Sequence, residues 1–307
     1  TLDVMDERDV YYFRLFSSRE QISGGLTFYV IRGYLDAYRY WTESMLQPIK
    51  GSASDVLKKV AGSGGLTYEG PTTSDQQLWI PGNRRNCSFA VDVARHAYIS
   101  DTSCFQLAVT TKKKMVACNI ADLPSMAITE KFTNKEHSQE MKIITDFGVL
   151  NRGGFFNADT GYKEYRFVQS MLNTEDPKAI KDVTVSKNST KLMVSQEIKG
   201  VSQNKVGFSP IDVGNVHDNY ERAEYQNMRL SNLFNFGIEI ITPLRPKVNL
   251  FEAMHCEVSK PDVDSVEQYN GKFLLTSKVV YIAGAVALYK LEGYRHGLNT
   301  NKENTQV

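Results

Sequence analysis

Apolar positions recur along this chain with two different periods, and the switches between them mark the elements. Val10–Phe16 is aromatic and apolar, and Thr27–Gly33 is β-branched and aromatic. Both predict strands, with Gly24–Gly25 as the turn before the second. No further strand-like run closes this pair before Pro48. It must therefore pair elsewhere or leave its edges open.

Gly51–Ser54 breaks the pattern, and Ser54 is placed to cap a short helix over Asp55–Ala61. Val56, Leu57 and Val60 would face inward. Gly62–Gly65 stops the helix, and Leu66–Glu69 resumes as a strand. After the turn at Pro81-Gly82-Asn83, a second helix starts at Asn86 or Ser88 and runs through His96. Phe89, Val93 and Ala97 make its apolar stripe. Two strands follow, Phe105–Thr110 and Met115–Ile120, joined by the polar Thr111–Lys114. Residues 51–120 thus read as a small α+β module.

Further on, Met141–Leu150 and Tyr162–Met171 predict strands, with Asn157–Gly161 as a loop between them. Val183–Val185 and Leu192–Ile198 are shorter candidates. Asn219–Phe234 predicts the longest helix, with Glu221 and Glu224 early and Arg229 late, as the helix dipole favours. Ile238–Thr242, Lys272–Ile282 and Val286–Tyr294 predict the closing strands, the last two about the turn Ala283–Ala285. Lys272–Ile282 carries apolar residues on both faces, which predicts a strand covered from both sides, as in a barrel inside an assembly. Asn299–Val307 is polar and reads as a flexible tail. No repeat of fixed period is present.

Composition narrows the picture little. The chain has 307 residues, 41% hydrophobic and 23% charged, with a formal net charge of +1. That balance offers no electrostatic footprint for nucleic acid or a membrane surface. No apolar run is long enough for a membrane-spanning helix, and no secretion signal opens the chain. The first residue is Thr1, which reads as processing or as numbering from an internal point. Sixteen Tyr and fifteen Phe lean towards strands and protein interfaces. The cysteines Cys87, Cys104, Cys118 and Cys256 are too scattered for a disulfide framework and read as reduced, mostly buried thiols.

Candidate chemistry is sparse. Cys87 and His96 share a helix but sit more than two turns apart, too far for a nucleophile and its base. Cys104, Cys118 and the His255-Cys256 pair lack metal-ligand spacing. Gly62–Gly65 follows a helix instead of preceding one, the wrong order for a phosphate cradle. Lys112–Lys114 reads as a solvated turn and not a nucleic-acid contact, and Asp262 with Asp264 as loop carboxylates without a catalytic context. No catalytic residue, cofactor or metal site is assigned.

The order of elements carries a resemblance. Leu57–Leu123, with Trp79, Asn86, Phe89 and Ala94, resembles the small α+β module of phage tail-hub proteins. Tyr220–Leu230 and the following NFGIEIITPLRPKVNLFE look like that family's long helix and next strand, and Tyr269–Asn299 like its closing hairpin. The likeness is nearest to the central baseplate hub of T-even-like contractile phages, and more distant to the hub part of type VI secretion spikes. It implies a mainly β fold of two small antiparallel barrels with an α+β region. The first barrel would use residues 1–50, apparently without its opening strands, because an N-terminal segment is missing or a neighbour supplies it. The second would use 121–150 and 237–298, interrupted by an insertion over 151–236.

The resemblance further implies a structural virion protein with no enzymatic activity. It would be a homotrimer in the tail baseplate, adapting the sixfold tail tube to the threefold spike. Its partners would be the tube protein, the cell-puncturing spike, and also tape-measure and wedge proteins, with DNA only passing through the lumen. Two alternatives stay open. A wedge or tube-completion protein would share the β-rich composition. A tail-associated cell-wall hydrolase would need a metal triad or a carboxylate pair in a cleft.

Overall fold

The computed structural model describes residues 12–24, 26–100, 103–134, 141–150, 236–258, 269–283 and 286–295. It also describes positions 217 and 219 and the backbone of five strands between 161 and 210.

The chain opens with a long hairpin, β1 (Phe13–Ser23) and β2 (Leu26–Leu35). Gly24, at φ +59°, makes the turn. A short helix α1 (Tyr38–Thr42) leads into β3 (Ile49–Gly51), α2 (Ala53–Ser63) and β4 (Thr67–Glu69). Then come β5 (Gln77–Trp79), α3 (Asn86–His96), β6 (Phe105–Val109) and β7 (Lys114–Asn119). Strands β8 (Ile128–Thr133), β9 (Lys142–Ile143) and β10 (Asp146–Leu150) follow. Next are β11 (Gly161–Val168), β12 (Ile180–Thr184), β13 (Lys191–Leu192), β14 (Gln196–Glu197) and β15 (Val201–Pro210). The last are β16 (Phe236–Thr242), β17 (Ala253–Glu257), β18 (Gly271–Ala283) and β19 (Val286–Arg295). This is the β-rich α+β class that the sequence predicts.

The α+β module packs α2 and α3 onto β4-β7-β6. Its core holds Val56, Leu57, Val60, Phe89, Ala90 and Val93, all from the two helix stripes. Helix α2 is capped by Ser52, not by Ser54. Ser52 Oγ accepts from Asp55 N at 3.2 Å, and Asp55 Oδ2 accepts from Ser52 N at 3.2 Å, a reciprocal capping box. Ser54 is instead buried, with its N–H donating to Thr73 Oγ1 at 3.0 Å. The helix start also meets a tertiary acceptor. Buried Asp75 takes Ala53 N at 2.8 Å and Tyr98 N at 2.7 Å. Trp79 is buried, and its indole donates to Gly51 O at 3.0 Å, which ties β5 to β3.

The second core lies inside a curled seven-stranded sheet, a half-barrel ordered β10-β16-β19-β18-β17-β8-β9. Four ladders are antiparallel, while β17 with β8 and β8 with β9 run parallel. Strands β10 and β16 pair directly, although residues 151–235 separate them in the chain.

Several predicted elements change on folding. Met141–Leu150 splits into β9 and β10, because Thr145 N turns to donate to Ile241 O. The 192–198 candidate is two two-residue strands. Strands β8, β15 and β17 lack a clean period in the sequence and are found only in the structure. The helix expected over 219–234 lies, beyond Asn219, outside the described residues, as does the polar tail.

Candidate functional site

The feature that stands out is not a cleft but apolar surface. Register assigns the two faces of the first hairpin. The pairs Phe13↔Leu35, Leu15↔Gly33, Ser18↔Ile31, Glu20↔Tyr29 and Ile22↔Thr27 share one face. A bulge between Leu15 and Ser17 shifts the phase, so that the odd positions before it and the even positions after it point the same way. Without the bulge that face would carry Ser17, Arg19 and Gln21. With it, Phe13, Leu15, Ile22, Tyr29 and Ile31 line up, each between 49% and 73% exposed. The opposite face holds Arg14, Arg19 and Arg32, with Phe16 stacked on Tyr34 at 5.9 Å. Arg14 Nε meets Asp36 Oδ1 at 2.6 Å, which keeps that carboxyl below its ordinary range. Among the described residues of the hairpin, only Leu35 at the base joins a buried core.

A second exposed apolar segment ends the curled sheet. In β18, Phe273, Leu274 and Leu275 are buried on both faces, as its two-sided pattern predicts. The prediction stops there: Val279, Val280, Tyr281 and Ile282 are 37% to 53% exposed. The reason is pairing. Strand β17 accompanies β18 only from Gly271 to Leu274, so beyond that it is flanked by β19 alone among the described residues. Register places Val280 and Ile282 on the side of buried Leu291, the inner face. Val279 and Tyr281 lie on the outer face with Lys290, Glu292, Glu239 and Asp146. Lys290 Nζ meets Glu239 Oε2 at 2.7 Å, which raises the amine's pKa.

Of the sequence candidates for chemistry, Cys87 and His96 stay apart, while Cys104 and Cys118 come together. Cys87 Sγ lies 4.0 Å from Trp41 O, while His96 Nδ1 is 2.8 Å from Asp92 O, one turn back on its own helix. Cys104 and Cys118 are buried in one apolar cluster with Ile120 and Leu274. Burial pushes the Cys118 and Cys256 thiols well up and the His255 imidazole down. Among the described residues no three His, Cys, Asp or Glu side chains group as metal ligands. Gly62–Gly65 is the helix end, with Gly64 N donating to Val60 O at 3.0 Å and Gly65 at φ +75°. In the lysine turn, Lys113 lies 3.6 Å from Asp36 and Lys114 2.9 Å from Glu69. Asp262 and Asp264 lie outside the described residues.

Residues that the sequence did not single out hold the loops in place. Glu130 Oε1 pairs with Lys142 at 2.6 Å, and its Oε2 accepts from Lys247 N at 2.7 Å. Lys278 Nζ donates to Pro246 O at 2.8 Å and Val248 O at 3.1 Å. Arg295 stacks on Phe273 at 4.7 Å and donates to Asn270 O at 2.6 Å, and burial lowers its pKa to about 10. A lysine or glutamate in a strand reads as a surface residue; only folding shows which carbonyl or amide it reaches.

Neither a protein-family model nor any curated protein matches the sequence. Solved structures do. A tail protein from Neisseria meningitidis aligns with a TM-score of 0.54 at 10% identity, over 92% of this chain and 78% of its own. The 43 kDa tail protein of prophage MuSo2 from Shewanella oneidensis aligns with a TM-score of 0.54 at 10% identity, over 92% of this chain and 77% of its own. The chain shares the fold of these two tail proteins. A chain from the virion of a native gene transfer agent particle also matches, at a TM-score of 0.41 and 10% identity, over 80% of this chain and 48% of that one.

Proposed function

We propose that this chain is a structural subunit of a phage-type tail, the central hub of the baseplate. The observation that carries the reading is the fold shared over 92% of the chain with two tail proteins. In this role three copies form a ring that joins a sixfold tail tube to a threefold spike, without catalysis. The tube and spike proteins contact the ring, wedge and tape-measure proteins lie nearby, and DNA only passes through. Two features of the chain support assembly. Among the described residues, the first hairpin exposes seven large apolar side chains, five of them on one face, and the β18–β19 hairpin leaves a strand flank open. Monomeric soluble proteins rarely leave such surfaces uncovered, because exposed apolar area and free strand edges invite association.

The test is cryo-electron microscopy of intact tails together with light scattering of the purified chain. Three copies on the tail axis, at the junction of tube and spike, are expected. Six copies around the periphery would make it a wedge protein, and a stable monomer at every concentration would overturn the ring.

A further inference from the structure

We propose that the β1–β2 hairpin is an arm that turns about residues 35–37, and that Arg14, Asp36 and Lys113 form a salt-sensitive latch that sets its angle to the α+β module. The latch lies within one chain, so it goes beyond the hub reading and does not depend on it. Three observations converge. First, the arm is held only at its base. Every residue whose burial is described between 12 and 33 is exposed, and burial begins at Leu35 and Ala37, which join the module's core. Trp41 Nε1 donates to Leu35 O at 3.2 Å. Among the described residues, β1 and β2 pair with no strand but each other. A segment with so little buried contact has only its base to fix its direction.

Second, charge crosses the base in both directions. Arg14 of the arm lies over the Tyr38 ring of α1 at 4.9 Å, and Lys113 of the module lies over the Tyr12 ring at 5.7 Å. Asp36 sits between them. Its Oδ1 meets Arg14 Nε at 2.6 Å and its Oδ2 meets Lys113 Nζ at 3.6 Å, so one carboxylate joins a cation from each body. Its N–H donates to Tyr12 O at 2.8 Å. The three charged side chains are between 33% and 54% exposed, so dissolved ions compete with the pairs.

Third, Lys113 occupies a backbone position that disfavours a lysine. It has φ +58°, in a turn closed by Lys113 N to Thr110 O at 3.1 Å and Thr110 N to Lys114 O at 2.8 Å. Glycine would meet that turn with less strain but would carry no charge to the arm. The next lysine, Lys114, pairs with Glu69 inside the module at 2.9 Å. Exposed pairs are individually weak. The latch therefore biases the arm's angle and lets it yield when a neighbour covers the apolar row.

Distances between two spin labels test the latch in the full chain with Cys87→Ser. One label sits on the arm at Thr27→Cys and one on α2 at Lys59→Cys, both at exposed positions. Excess unlabelled chain removes distances between copies. The parent should give one narrow distribution at about 0.01 M salt and one about two-fold broader at about 1 M. Asp36→Asn and Lys113→Gln should be broad at both. Lys113→Gly should broaden the distances while the thermal midpoint holds or rises, which a merely structural role for Lys113 would not give. Lys114→Gln should match the parent.

Distances that stay narrow in Asp36→Asn and Lys113→Gln, in whatever oligomer forms, would overturn the proposal. So would a broad parent distribution at low salt, or equal broadening in Lys114→Gln. A trimer whose arm never moves would sink the latch and leave the hub reading standing.

Discussion

The α+β module and the β1–β2 hairpin have similar apolar content and opposite fates. In the module, the stripes of α2 and α3 meet each other and a small sheet, and their apolar residues are fully buried. In the hairpin, an apolar row brought into line by a bulge faces solvent. The period of a segment states which residues share a face. It does not state whether this chain or another supplies the cover. A module that carries its own cover can fold alone. A hairpin that lacks one has reason to associate.

Four substitutions sharpen that contrast, from the largest expected effect to the smallest. Phe89→Ala empties the centre of the module and should lower stability by about 3–5 kcal/mol in urea denaturation. A loss well under that range would mean the module is loosely packed. Asp75→Ala removes the acceptor of Ala53 N and Tyr98 N, and should cost about 1–3 kcal/mol for each amide left buried and unmet. Rescue by Asp75→Asn should be partial, since one amide oxygen replaces two carboxylate oxygens.

Ser52→Ala breaks the capping box and should cost about 1 kcal/mol. The same box gives a pH signature. Hydrogen bonds from Ser52 hold the Asp55 carboxyl below its ordinary value. Its contribution is therefore complete above about pH 4, near the unfolded carboxylate pKa, and is lost as pH falls through the lowered folded value. The stability gap between the parent chain and Asp55→Asn should shrink in acid, and a gap constant down to pH 2 would rule out the linkage. Last, Ile31→Ser in the open hairpin should change monomer stability by less than about 0.5 kcal/mol. A large loss in a monomeric sample would show that the hairpin is already covered within the chain.

Much of the module was legible in advance. Helix α3 begins at Asn86 and ends at His96 as its stripe predicts, and the β6–β7 hairpin falls within a residue of expectation. The wrong cap is instructive: Ser52 and Ser54 both precede an apolar stripe, and only the reach of Asp55 back to Ser52 decides between them. The candidate surface was half legible. An unclosed strand pair and a two-faced apolar strand both stood in the sequence. The bulge at Leu15/Ser17, which brings Ile22 onto the face of Phe13 and Leu15, did not, because a one-residue phase shift looks like a broken period.

By itself the sequence determined the class of the protein, the module's helices, the closing hairpin and the absence of any compact catalytic motif. These follow from local rules of period, capping and turn chemistry, which act within a few residues. The tertiary structure alone decided that 141–150 and 236–242 share a ladder, that β17 leaves β18 after Leu274, and where Glu130, Lys278 and Arg295 find their partners. Those depend on contacts between distant residues, and a strand's pattern does not encode which strand lies beside it or how far the pairing runs.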